Sequence, residues 1–250
     1  MSLPAVGRLR KHEACMLALA SGALHRAPTL ALDPMLVTVA LPSIGQDLHC
    51  LPGSLAGDLN PQRQELGMRN IVAGLFVSLD GVAEAPNRWV FPYMTDPVGQ
   101  VVGAAMAASD TMLLGRRTYQ EWAAYWPDKT ADDDPYAEYI NSVPKHVVST
   151  TLQPPLDWRN STLVAGNPRH HISNLKQQPG KDIAISGSIS LVGWLLREGL
   201  LDELSLLVFP VVVGSGKHLF DGPDQVPLKL VQSQTFDNSV LWLRYARAAR

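Results

Sequence analysis

From residue 68 onward the chain alternates short apolar runs with segments of helical period, and this alternation limits the fold more than any other feature. The first run, Ile-Val-Ala-Gly-Leu-Phe-Val-Ser at 71–78, is almost continuously apolar and suits a central strand buried on both faces. Asp96-Pro97 opens a helix reaching about residue 109, with Asp96 as cap and proline in the first turn. Further strands are predicted at 111–114, 145–149, 162–165, 182–186 and 203–213, and helices at 117–122, 170–178 and 189–198, the last closed by Gly199. Segments 228–236 and 239–246 read as a closing antiparallel pair. Strands interleaved with helices predict an α/β fold: a mixed, mainly parallel sheet with helices on both faces.

Residues 1–67 lack this order. Pro4, Pro28, Pro34, Pro42, Pro52 and Pro61 interrupt any regular element. The expectation is a division into an N-terminal extension, 1–67, poorly ordered or vestigial, and one domain, 68–250. Both cysteines, Cys15 and Cys50, lie in the extension, so the main domain has no catalytic thiol and no zinc-ribbon pattern. Arg8, Arg10 and Lys11 are followed by His12 and Glu13 before the apolar run begins, a poor match to a secretion signal. No stretch is long and apolar enough for a membrane helix. A net charge of −2 with scattered basic residues gives no footprint for nucleic acid. These features lead to expecting a cytoplasmic protein with a small-molecule substrate and no nucleic-acid or membrane partner. Residues 32–49, from Leu-Asp-Pro-Met-Leu-Val-Thr to Gln-Asp-Leu-His, resemble the end of the first membrane helix of major facilitator drug transporters.

In open α/β sheets ligands bind beyond the carboxyl ends of the strands, and the polar junctions of this chain fall there. Gly115-Arg116-Arg117-Thr118 joins a strand to a helix. Glycine admits close approach, the helix start offers N–H groups, and arginine adds donors matched to phosphate. A capped helix start with two solvated arginines reads equally from these residues. Ser149-Thr150-Thr151 either holds a phosphate or caps a turn. Ile185-Ser186-Gly187-Ser188 lacks the full GxGxxG pattern; it either cradles a pyrophosphate at a helix N-terminus or makes a tight turn.

The ordered set is more telling than its parts. Val77-Ser78-Leu79-Asp80-Gly81, Leu113-Leu114-Gly115-Arg116-Arg117-Thr118-Tyr119, the hydroxyls at 145–151, Ile185-Ser186-Gly187-Ser188, the 195–204 segment and the 209–220 segment follow one another along about 180 residues. This series resembles the dihydrofolate-reductase-like family that includes the RibD C-terminal reductase domain of riboflavin synthesis. The resemblance implies NADPH as cofactor. It places Arg116, Arg117 and Thr118 on the phosphates, Ser149 and Thr150 near the 2′-phosphate, and Gly187, Ser188 and Ile189 along the pyrophosphate. Ser78, Asp80 and Gly81 would border nicotinamide and substrate, and a homodimer is implied.

Hydride transfer also needs a proton, and the segment after the first strand lacks the family's single buried acid. Asp80, Glu84 and Asp96 are the candidates. Trp89, Phe91 and Tyr93 suit either a pocket for a flat ring or an aromatic core. The acidic loop at Asp128 and 132–134 reads as solvated, and adjacent His170 and His171 lack zinc spacing, so no metal is expected. The expectation is therefore an NADPH-dependent reductase acting on a small C=N, C=C or C=O substrate. The alternatives are an NADP-binding protein without turnover and a scaffold that keeps only the fold.

Overall fold

The computed structural model describes residues 68–222 and 225–248. The expectations for the extension, including the transporter-like stretch at 32–49, lie outside the described residues. Eight strands form one sheet: β1 (Ile71–Ser78), β2 (Ser109–Gly115), β3 (Lys145–Val148), β4 (Ser161–Val164), β5 (Asp182–Ile185), β6 (Glu203–Phe209), β7 (Leu228–Thr235) and β8 (Leu241–Arg247). Among the described residues five α-helices accompany them: α1 (Asp96–Ala107), α2 (Arg116–Ala123), α3 (Ala137–Ser142), α4 (Pro168–Lys176) and α5 (Ile189–Glu198). Strand order is β4-β3-β2-β5-β1-β6-β8-β7. The first six are parallel, and β8 and β7 add antiparallel to β6. The α/β, mainly parallel architecture follows the sequence reading.

Helices cover both faces. Under α4 and α5, Ile71, Ala73, Leu75 and Val77 of β1 pack against Ile172, Leu175, Leu191, Val192 and Leu195. On the other face α1, α2 and α3 bring Met106, Tyr119, Trp122 and Ile140 onto Met112, Leu114 and Val147. A third cluster closes the β6–β8 side around Leu207, Phe209, Val240 and Trp242. Trp89, Phe91 and Tyr93 belong to this packing; Trp89 and Tyr93 meet Phe209 edge-on at 5.7 and 6.1 Å. The aromatic-core alternative is the one realised, because two 3₁₀ turns, Pro86–Arg88 and Phe91–Tyr93, fold these rings back over the sheet.

Several expectations shift. β1 is central but not buried on both faces: Gly74 is exposed and Val72 and Phe76 are half-buried, since the helices leave part of this face open. α1 begins at Asp96 itself, with Thr95 in the cap position. β6 ends at Phe209, because Pro210 has no N–H to extend the ladder. α3 has no clear sequence signal; it is held by buried Ile140 and by Asn141, whose side chain donates to Trp126 O (2.8 Å) and accepts from Trp158 Nε1 (2.9 Å).

Ion pairs lock the amino ends of the strands. Arg69 pairs with Asp110 and donates to Thr111 Oγ1 at 2.8 Å. Lys176 pairs with Asp202, whose carboxylate also accepts from Ile71 N at 2.8 Å. Arg244 grips Glu203 at 2.6 and 2.8 Å. The opposite ends carry the loops, and the cavity opens there.

Candidate functional site

β2 and β5 are neighbours, so the two junctions that leave them lie side by side. They touch. A Cβ on Gly115 would stand 1.9 Å from Ser188 Oγ, and one on Gly187 would stand 3.4 Å from Thr118 Cγ2. Only glycine fits at 115. Gly187 (φ 148) and Ser188 (φ 69) both adopt left-handed backbone, which turns the chain sharply enough to start α5 at once. Neither Gly115 nor Ser188 caps its helix with a side chain. Two helix N-termini, each carrying the partial positive charge of unsatisfied N–H groups, therefore converge on one space.

That space is a cavity of about 1530 Å³. It exceeds the roughly 300–1,000 Å³ of an ordinary small-molecule pocket. Its wall includes Arg116, Arg117, Thr118, Ser149, Thr150, Gly187, Ser188 and Ile189, so every predicted cofactor residue borders it. Both arginines are exposed at the rim, and Arg116 Nη1 donates to Gln120 Oε1 at 3.1 Å along its own helix. Ser149 Oγ accepts from Thr151 N and Leu152 N, both at 3.1 Å, so this hydroxyl also caps the turn after β3. The cavity continues down the open sheet face past Phe76, Gly74 and Val72.

The three predicted acids part company. Asp80 accepts from Ser78 Oγ (2.6 Å), Gly214 N (2.8 Å) and Val213 N (3.1 Å). The Ser78 hydroxyl, followed by the two backbone amides, holds its carboxyl at about 2. It fastens the loop after β1 to the one after β6, and the cavity wall runs through Ala83–Pro86 rather than Ser78, Asp80 or Gly81. Asp96 is exposed in the first turn of α1 and is not among the wall residues. Glu84 is; its Oε2 accepts from Lys217 N at 3.0 Å.

One acid escaped the sequence reading. Glu121 lines the cavity on α2, three residues beyond Thr118 and four beyond Arg117, so it shares their side of the helix. That spacing was the available signal. Burial pushes its carboxyl up to about 7; Arg117 opposes the rise and Glu84 adds to it. Elsewhere, His171 Nε2 meets His146 Nδ1 at 3.0 Å, and burial, then the partner imidazole, lowers His146 to about 4. Among the described residues no group of three or more His, Cys, Asp or Glu is placed to hold a metal, and no helix is long and apolar enough to cross a membrane.

Fold and cavity together define an α/β protein with a cleft at the carboxyl ends of its parallel strands, where two helix N-termini meet. The chain belongs to the RibD C-terminal domain family, which residues 69–242 match. Among curated proteins it is 35% identical over 184 residues to uncharacterized protein YyaP of Bacillus subtilis, spanning 72% of this chain and 96% of YyaP. Among solved structures it is similar to a putative riboflavin biosynthesis protein from Shewanella (TM-score 0.59, 22% identity, 72% of this chain and 99% of that one). It is also similar to a pyrimidine reductase-like protein from Corynebacterium diphtheriae (TM-score 0.53, 15% identity, 73% and 93%). The transporter likeness of residues 32–49 gains no support, since the family match begins at residue 69.

Proposed function

We propose that the protein is an NADPH-dependent reductase that passes a hydride to a small C=N, C=C or C=O substrate. The observation that carries this reading is the contact of the two junctions at Gly115 and Ser188, which brings two uncapped helix N-termini onto one cavity beside Arg116 and Arg117. Such an arrangement favours the polyphosphate of a dinucleotide. The first-turn amides of α2 and α5, with Thr118 and Ile189, would hold the pyrophosphate. Arg116, Arg117, Ser149 and Thr150 would take the 2′-phosphate. Bound there, NADPH supplies the hydride, and the wall from Ala83 to Pro86 would face the substrate. Membership of the family, and the reductase-like name borne by a structural neighbour, agree with this reading.

Thermal shift with NADPH and with NADH tests it. A ligand that binds only the folded state raises the melting temperature by an amount that grows with the logarithm of its concentration over Kd. NADPH should raise it more than NADH, and NADPH should be oxidised with at least one of a dihydropterin and an enone. Equal shifts would overturn the 2′-phosphate assignment. A second reading, an NADP-binding protein without turnover, is favoured by Asp80, which is committed to fastening loops. A thermal shift without oxidation of any acceptor would support it.

A further inference from the structure

We propose that Glu121 is the acid that protonates the substrate as it accepts hydride, with Glu84 of the facing loop as its partner; this rests on the reductase reading. α2 presents Arg117, Thr118 and Glu121 on one side, and all three line the cavity. Thr118 meets the β5–α5 junction, so the helix N-terminus points to the anion end. Glu121 lies one turn further along α2, lines the same cavity as Glu84 and is near enough to feel its charge. Trp122, almost fully buried behind it, fixes the helix against the sheet.

Glu84 is held from two sides. Its N–H donates to Lys217 O at 3.2 Å while its carboxylate accepts from Lys217 N at 3.0 Å. It therefore keeps its place in the cavity wall. The charged groups around Glu121 are Arg117 on its own helix and Glu84 from the loop after β1; Lys217, from the connection after β6, lines the same wall. With its carboxyl at about 7, Glu121 is protonated in much of the population at neutral pH, as a general acid must be.

The other acids fit the task less well. Asp80 sits at about 2 and is engaged by three donors. Asp96 is outside the wall. Asp182 lines the cavity and burial raises its carboxyl as well, but it lies at the start of β5, three residues before Ile185. At about 3.3 Å per residue that is roughly 10 Å from the junction.

The step balances. Hydride from NADPH adds to the carbon of a polarised double bond, the Glu121 O–H bond breaks, and its proton goes to the nitrogen, oxygen or second carbon. Glu121 is left as carboxylate and regains a proton from water.

The test compares wild type, Glu121→Gln and Glu121→Asp. Infrared difference titration of the apoprotein should show a carboxylic acid band lost with a midpoint near pH 7 in wild type and absent in Glu121→Gln. A band that disappears well below that pH, or one unchanged by the substitution, overturns the proposal. With a dihydropterin or cyclohexenone as acceptor, Glu121→Gln should bind NADPH as wild type does yet oxidise it about 10²-fold or more slowly. It should also lose the fall in rate above pH 7, and Glu121→Asp should recover part of that rate. Wild-type rate and pH profile in Glu121→Gln would overturn the proposal. Failure of wild type to bind or oxidise NADPH would overturn the reductase reading instead, and the infrared titration separates the two.

Discussion

A methyl group on Gly115 would lie 1.9 Å from Ser188 Oγ, so the β2–α2 and β5–α5 junctions are fitted to each other at a single point. Gly115→Ala should force them apart. Overpacking of this kind costs about 1–3 kcal/mol, readable by urea denaturation, and NADPH should bind at least about tenfold more weakly. Ser188→Gly removes the clashing hydroxyl and relieves a left-handed φ of 69°. It should raise stability slightly alone and restore much of the loss in the double variant. Unaltered NADPH affinity in Gly115→Ala would mean that the junctions do not form the anion site.

Replacing Arg116 and Arg117 together by alanine should weaken NADPH by about tenfold or more while changing NADH little. Each charge-assisted bond to phosphate is worth about 1.5–3 kcal/mol where well shielded, and exposure at the rim lowers that value. Isothermal titration with both cofactors reads the difference, and equal losses would remove the arginines from the 2′-phosphate.

The buried pair Glu203–Arg244 ties β6 to β8. Removing one partner leaves the other charge buried without compensation, which costs about 3–5 kcal/mol. Arg244→Ala should therefore lower the urea midpoint strongly. Replacing both by apolar residues of similar volume should be far milder.

Asp80 gives a pH signature. Its carboxyl sits at about 2 in the folded protein against an ordinary value of 3.8. A depressed folded value means that its contribution is present above about 3.8 and fades as pH falls toward 2. Asp80→Asn should reduce stability at neutral pH and flatten the decline in melting temperature across that acid window. An unchanged acid profile would detach Asp80 from the Val213–Gly214 turn.

Much of the scaffold was legible because apolar periodicity and helix signals are local. The 71–78 run, the Asp96-Pro97 start and the Gly199 stop all mark elements found in the structure. α3 was not legible: this six-residue helix is held through its own Asn141, which bonds Trp126 and Trp158 outside it. The site was legible at its junctions, where glycine and hydroxyl residues at strand ends announce close approach. It was not legible in its acids. On paper position alone ranked Asp96 first, although it also read as a helix cap, then Glu84, then Asp80; what separates them in the fold is which backbone amides reach each carboxylate and which residues wall the cavity.

The order of apolar runs and breaks by itself determined an α/β sheet and the family resemblance, because both depend on near-neighbour pattern. Only the tertiary structure decided that Gly115 must be glycine, that Asp80 is a fastener, and that Glu121 faces a cavity with a raised carboxyl. Those properties come from desolvation and from contacts between segments dozens of residues apart, and neither exists until the chain has folded.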